Sequence, residues 1–358
     1  MAFPSPYIIV DGIRNNPATR SLQDVPDPKL IYHEGFYYVY ATSPDGAVVL
    51  RSSDLQTFWH MGYCLTPDPD IKPVHYMYWD PTPFYYAATN TWYLYYSCAT
   101  AQSEDMAFGQ IMRYATADNP LGPFTYRGDI ELDWDDRLLD IWPPLHKWAI
   151  GPSIWEKDGR IYFFYSYKGW GEGAEAKIPL VHSPETKFGS LIFMQVFSDP
   201  ETPIPGTRRL VLSPTLKEEL NEKSGDSSVS GSWEYTLEGP AYFEHGDTAF
   251  LMYSGNSWEC PSYFIGYATW KIDGDLSNAV FSKFPDDNTY APLVGMNDYA
   301  NGMGNNSICV TPEGKILMAY HGYAIDTSGL PDPNNKTIRR LYISEITVED
   351  GRLVLLKN

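Results

Sequence analysis

Gly151-Pro-Ser-Ile-Trp-Glu-Lys-Asp-Gly-Arg-Ile-Tyr-Phe-Phe-Tyr-Ser166 is the stretch whose reading decides the fold. A short apolar run leads to Asp158-Gly159, a dipeptide suited to a tight reversal, and then to a run dense in aromatic residues. Together they predict a β-hairpin. The pattern recurs as Asp27-Pro-Lys-Leu-Ile-Tyr-His-Glu-Gly-Phe-Tyr-Tyr-Val-Tyr-Ala-Thr-Ser43, and as Asp80-Pro-Thr-Pro-Phe-Tyr-Tyr running on to Trp-Tyr-Leu-Tyr-Tyr-Ser97. Two looser copies begin at Glu238-Gly-Pro-Ala-Tyr-Phe-Glu-His-Gly-Asp and end at Ser254, and begin at Asn305-Asn-Ser-Ile-Cys-Val and end at His321. Any all-β protein contains hairpins. Five that keep one length to within a residue form a repeat.

Between copies there is room for a third and a fourth strand with their loops. Four-stranded sheets repeated five times around an axis leave only short, protected edges, so the sequence predicts an all-β fold, a five-bladed β-propeller. The 358 residues would allow about two domains at roughly 150 residues each, but an all-β unit can be larger. The expectation is a single propeller domain over residues 1–358. A strand near Tyr7–Val10 or one near Leu353–Leu356 would complete the last blade. Thr215–Lys223 holds helix formers, and the Gly/Ser/Asp-rich stretch Ser224–Gly231 after it reads as loop.

Hydrophobic residues make up 43% of the chain and charged residues 20%, which suffices for an ordinary core. Aromatics reach 15% and favour half-buried strands. The formal net charge of −19 repels polyanions and removes the counterion-release drive for nucleic acid, which is excluded as a partner. No apolar run approaches the roughly 18 residues of a spanning helix, so no membrane partner is expected. The N-terminal stretch lacks a basic segment and an apolar run of signal length. The expected location is the cytoplasm, or the exterior with a leader removed. Cys64, Cys98, Cys260 and Cys309 lie far apart with no zinc-ligand spacing and read as buried small hydrophobes; if oxidised, they allow three connectivities.

In a propeller the innermost strand of each blade starts beside the central channel, so Asp27, Asp80, Gly151, Glu238 and Asn305 are expected to converge at one mouth. Three of these are carboxylates. Glycoside hydrolysis needs such a set: an acid to protonate the leaving oxygen and a base to activate water from the other face, roughly 6.5–9.5 Å apart when configuration is inverted. Glu238, between Leu237 and Gly239-Pro240, suits the acid, because desolvation raises a carboxyl pKa. Asp27, between two prolines, suits the ionised base. The competing reading is that these carboxylates cap turns or tie blades together.

With these residues in place, the chain resembles glycoside hydrolase family 43, the five-bladed propeller glycosidases acting on arabinose- and xylose-containing glycans. The resemblance rests on Pro26-Asp27-Pro28, Arg51-Ser-Ser-Asp-Leu-Gln-Thr-Phe-Trp59, Ala115-Thr-Ala-Asp-Asn-Pro-Leu-Gly-Pro-Phe124, Leu237-Glu-Gly-Pro240 with Tyr253-Ser-Gly-Asn256, Ser262-Tyr-Phe-Ile-Gly-Tyr-Ala-Thr269 and Ala319-Tyr-His321. It implies Asp27 as general base, Glu238 as general acid and inversion at the anomeric carbon. The implied activity is that of an exo-acting α-L-arabinofuranosidase or β-D-xylosidase on oligosaccharides or polysaccharide side chains.

Two departures stand out. The third-blade aspartate that the family uses to raise the pKa of the acid is Gly151 here, with Asp80 or Asp140 as candidate substitutes and Asp80 counted among the catalytic residues. Gly151 also opens a second reading, a carbohydrate-binding propeller with little or no hydrolysis. Asn305 stands where many members carry a histidine beside an axial calcium. No cofactor is required on this reading, and a structural Ca2+ at Asn305 is the candidate metal, since an amide carbonyl can serve a hard cation. Sugar binding calls for aromatic faces and planar donors. Trp79, beside Asp80, fits the first need. Arg339 or Arg340 matches the family's substrate-contacting arginine, with Arg339 preferred because Leu341 and Ile343 then keep strand alternation. Gly151 and His321 complete the substrate-side set, although His321 reads equally well as a hydrogen-bonded strand end.

Overall fold

The computed structural model describes residues 9–11, 24–68, 70, 75–100, 110–135, 147–171, 187–221, 234–297, 300–324 and 338–356. Among these the only helical segments are the single 3₁₀ turns Lys217–Glu219 and Leu276–Asn278; everything else regular is β. No helix among them is long and apolar enough to cross a membrane. The first of these turns falls inside the stretch that carried helix formers.

Five antiparallel units follow one another along the chain. The first is β1 (Ile9–Asp11), β2 (Lys29–His33), β3 (Phe36–Ala41), β4 (Ala47–Ser52) and β5 (Thr57–Leu65), and the second is β6 (His75–Tyr86), β7 (Thr91–Thr100), β8 (Ile111–Ala117) and β9 (Thr125–Asp129). The third runs β10 (Ala149–Lys157), β11 (Arg160–Trp170) and β12 (Phe188–Asp199), with the short β13 (Thr202–Pro203) and β14 (Arg209–Leu212) both on β12. The fourth is β15 (Tyr235–His245), β16 (Thr248–Gly255), β17 (Phe264–Lys271) and β18 (Ser282–Lys283), joined to the third only where Gly189 and Ser190 pair with Tyr235 and Thr236. The fifth is β19 (Ala300–Val310), β20 (Ile316–Ala324), β21 (Arg340–Glu349) and β22 (Arg352–Leu355). β22 thus completes the last unit from the C-terminal side, while β1 adds in parallel outside β5.

The first strands of the five units, β2, β6, β10, β15 and β19, touch in succession, and β19 returns to β2. That ring explains the apolar density of the hairpins. A strand flanked by neighbouring sheets is covered on both faces and reads as a continuous apolar run rather than an alternating one. β11 is buried almost throughout, whereas β9, at an edge, alternates. Aromatic contacts fill the gaps between units: Tyr95 on Phe163 between the second and third, and Phe164 on Tyr242 between the third and fourth. Closure is apolar too, since Val39 and Leu50 of the first unit share a core with Leu317, Ala319 and Leu341 of the fifth. Hydrogen bonds lock the seam: the Leu30 amide donates to Ser307 Oγ (2.9 Å), whose hydroxyl donates to the Pro28 carbonyl (2.8 Å).

All four cysteines are buried free thiols. Burial pushes Cys98 and Cys309 up to about 12, so neither is a reactive thiolate at neutral pH.

Candidate active site

The site begins with a backbone device. In the second to fifth units the inner strand carries one extra residue opposite its neighbour: between Trp79 and Thr82, Ile150 and Ser153, Glu238 and Ala241, and Gly304 and Ser307. Asp80, Gly151, Gly239 and Asn305 sit in these bulges with φ of 50°, 62°, 58° and 48°, and Asp27 takes the same conformation (φ 55°) ahead of β2. Left-handed backbone is tolerated by glycine, asparagine and aspartate and resisted by most other residues, and bulges re-aim the side chains they carry. The five positions hold only these three residue types.

This register corrects the sequence alignment at one position. Trp79, Ile150, Glu238 and Gly304 pair with Ser97, Ser166, Ser254 and His321 respectively. Glu238 therefore precedes the bulge, and Gly239 is the equivalent of Asp27, Asp80, Gly151 and Asn305. The sequence reading slipped by one because an acidic residue was matched to acidic residues, whereas the repeat is defined by φ. Gly239 is required by proximity as well, since a Cβ there would lie 2.5 Å from Asn305 Oδ1.

Asp27, Asp80 and Asn305 meet directly. The Asn305 amide donates to Asp27 Oδ1 (2.9 Å) and to Asp80 Oδ1 (2.7 Å). Burial works against ionising Asp27, but the Arg339 guanidinium, 3.4 Å from Oδ1, with the Thr42 hydroxyl, holds its carboxyl well below the usual range. His321 is fully buried and its pKa is lowered by burial. Its Nδ1 accepts the Asp27 amide hydrogen (3.1 Å), which makes the ring neutral and places its remaining hydrogen on Nε2. Nε2 has no partner among the described residues.

Asp80 is pushed up to about 6 by burial first, with the Asp27 charge adding to it and Lys29 and Asn305 opposing. Its amide donates to Thr42 Oγ1 (2.9 Å). Glu238 keeps a partly accessible face and is pushed up to about 7, by burial first; the Tyr263 hydroxyl, donating to Oε1 at 2.8 Å, opposes this, and the charges of Asp80 and Asp27 add to it. A carboxylate held ionised therefore lies close enough to interact with a carboxyl that keeps its proton near neutrality. A proton acceptor and a proton donor are both available at one pH.

Other sequence candidates are distributed less evenly. Gly151 carries no side chain, and the nearest atoms to its Cβ position belong to Gly239 and Pro240, at 3.4–3.7 Å. Asp140 lies outside the described residues. Trp79 packs edge-on against Trp148 at 5.9 Å, forming an aromatic wall with Ile150. Of the two arginines, Arg339 reaches Asp27; Arg340 begins β21 with a buried Nε that finds no partner among the described residues.

Three contributors were missed. Tyr263 stacks on His321 (5.9 Å) as well as bonding Glu238, and a Cβ at Gly304 would overlap its ring; its signal was its place in the Ser262–Thr269 stretch, where it is one of 28 tyrosines in the chain. Trp258 is 42% exposed under the Arg339 guanidinium, 4.6 Å from the ring centre, and its signal was a tryptophan two residues after the Tyr253-Ser-Gly-Asn256 motif. Lys29 Nζ donates to Asn305 Oδ1 (3.1 Å) and lies 3.3 Å from Asp80 Oδ1. A lysine two residues after Asp27, at the start of the apolar inner strand, was the available signal.

Lys29 also bears on calcium. The Asn305 oxygen that would face a hard cation already accepts from an ammonium, 3.1 Å away. The donor set as arranged does not suit Ca2+.

The sequence profile of glycosyl hydrolases family 43 matches residues 16–353. A protein of Streptomyces avermitilis described as an extracellular exo-α-(1→5)-L-arabinofuranosidase is 26% identical over 335 residues, covering 88% of this chain and 59% of that protein. The chain thus spans under two thirds of that relative's length. Among solved structures, a thermostable family-43 glycoside hydrolase superposes with a TM-score of 0.68 at 23% identity, covering 94% of this chain and 93% of that one. The α-L-arabinofuranosidase of Lactobacillus brevis gives 0.67 at 21% identity, covering 92% and 93%. The α-L-arabinanase of Cellvibrio cellulosa, complexed with arabinohexaose, gives 0.62 at 16% identity, covering 93% and 95%. At these identities the structural likenesses speak for the fold.

Proposed function

The chain belongs to glycoside hydrolase family 43, and we propose that it is an inverting, exo-acting glycosidase that releases α-L-arabinofuranosyl units, or β-D-xylosyl units, from oligosaccharides or polysaccharide side chains. On this reading the five units are the blades of one propeller domain and the site at its axis is catalytic. The observation that carries it is the pair of opposed protonation states: Asp27 held ionised beside Arg339, and Glu238 held protonated to about pH 7.

Asp27 accepts a proton from a water that attacks the anomeric carbon. As the carbon–oxygen bond to the leaving group breaks, Glu238 Oε passes its proton to the departing oxygen, and the sugar leaves with inverted configuration. Asp80, a like charge in the same site, does for Glu238 what an aspartate at Gly151 would do. The Trp79–Trp148 wall and the exposed face of Trp258 offer the apolar surfaces a sugar ring needs. The arabinofuranosidase name of the Streptomyces protein supports arabinose ahead of xylose, and its extracellular description supports secretion ahead of the cytoplasm.

The test is hydrolysis of aryl arabinofuranosides, aryl xylosides and short arabino- and xylo-oligosaccharides, with product anomers followed by proton NMR. Inverted monosaccharide released from the non-reducing end is expected. Tight sugar binding without turnover on any substrate would instead establish the carbohydrate-binding reading that Gly151 raises.

A further inference from the structure

Lys29 is almost wholly buried, as is its partner Asp80. Removing an ammonium from water costs several kcal/mol unless it is paired and hydrogen-bonded, so its partners indicate what holds it there. Nζ donates to Asn305 Oδ1 (3.1 Å) and faces Asp80 Oδ1 (3.3 Å). The Asn305 amide could in principle stand either way round. With an ammonium on one side and two carboxylates on the other, only one orientation pairs every donor with an acceptor: oxygen to Lys29, nitrogen to Asp27 and Asp80. The lysine therefore fixes the group that spaces the two aspartates.

We propose that Lys29 is a built-in cation: its ammonium takes the place of a metal ion at the axis, sets the orientation of Asn305 and so positions Asp27. A divalent ion on Asn305 Oδ1 would sit against a fixed positive charge in a medium of low dielectric, where like charges repel strongly. Lys29 is a positioning residue, since it touches no reacting atom.

Two measurements test this. The first needs no substrate and so is independent of the glycosidase reading: thermal unfolding of the wild-type protein in about 10 mM CaCl2 and in EDTA. A ligand that binds the native state raises the unfolding temperature by mass action, so the two curves are expected to coincide. A rise of several degrees that saturates with Ca2+ would overturn the built-in cation. The second rests on the glycosidase reading and compares steady-state kinetics of Lys29→Met with wild type. Loss of positioning in the transition state lowers kcat and leaves KM nearly unchanged; a fall in kcat of about tenfold or more, with KM within about twofold, is expected. An unchanged kcat overturns the positioning role. If Lys29→Met does not fold, Lys29→Met combined with Asp80→Asn removes both buried charges and is compared with Asp80→Asn alone, with the same expectation for kcat.

Discussion

The hydroxyl of Tyr263 donates a 2.8 Å hydrogen bond to Oε1 of Glu238, and this bond is the main restraint on how far the Glu238 pKa rises. It favours the ionised carboxylate, so it tunes the acid downward to about 7 from where burial would leave it.

The alkaline limb of the pH–rate profile is therefore expected near pH 7, since in the proposed mechanism Glu238 acts in its protonated form. Tyr263→Phe deletes the bond and should move that limb upward. Asp80→Asn deletes a repelling charge and should move it downward. Profiles of kcat/KM for the three proteins check this, and identical limbs would remove Glu238 from the acid role.

Glu238→Gln and Asp27→Asn should differ in how they depend on the leaving group. Gln cannot donate a proton, so sugars with poor leaving groups should lose about 10²–10⁴-fold in kcat, while an activated aryl glycoside keeps most of its rate. Asp27→Asn should lose activity on both. Rescue of Asp27→Asn by the activated substrate would place the base elsewhere.

Gly151→Asp should be tolerated. The backbone there has φ 62°, close to the 55° and 50° already held by Asp27 and Asp80, and the Cβ position is free of overlap. Glycine replacement at such a conformation costs roughly 1 kcal/mol. The added carboxylate repels an ionised Glu238, so the alkaline limb should shift upward. A pH titration of the purified variant checks the direction; a downward shift would contradict the placement of position 151 beside the acid.

Stability should follow the same carboxyl. Glu238 titrates near 7 in the folded protein against an ordinary 4.5, so the unfolded chain gives up its proton first as pH rises. The cost to folding grows between about pH 4.5 and 7 and is complete above 7. Glu238→Gln removes it and should be more stable than wild type at pH 8, by on the order of 1–3 kcal/mol, and equal to it near pH 4. Urea melts at the two pH values measure the difference, and a gain of the same size at both would assign it to packing instead.

Much of this was legible in the chain. Five hairpins of constant length announced a chain that is nearly all β, and Asp27, Asp80, Asn305, Arg339 and His321 were singled out and do meet, because a ring of equivalent strands brings equivalent positions together. The misplacement of Glu238 by one residue has a specific cause. A bulge register is a property of φ and pairing, and residue type hints at it only through the preference of Gly, Asn and Asp for left-handed backbone.

The sequence by itself determined the repeat, the aromatic strands and the identity of the carboxyls, because periodicity and propensity are local and survive without coordinates. The tertiary structure alone decided what those carboxyls are. Whether an aspartate stays ionised or an acid keeps its proton depends on charges and hydrogen bonds within a few ångströms, and those come from distant segments: Arg339 on Asp27, Lys29 and Asn305 on Asp80, Tyr263 on Glu238. Electrostatic coupling follows distance through space, and closing the ring sets those distances.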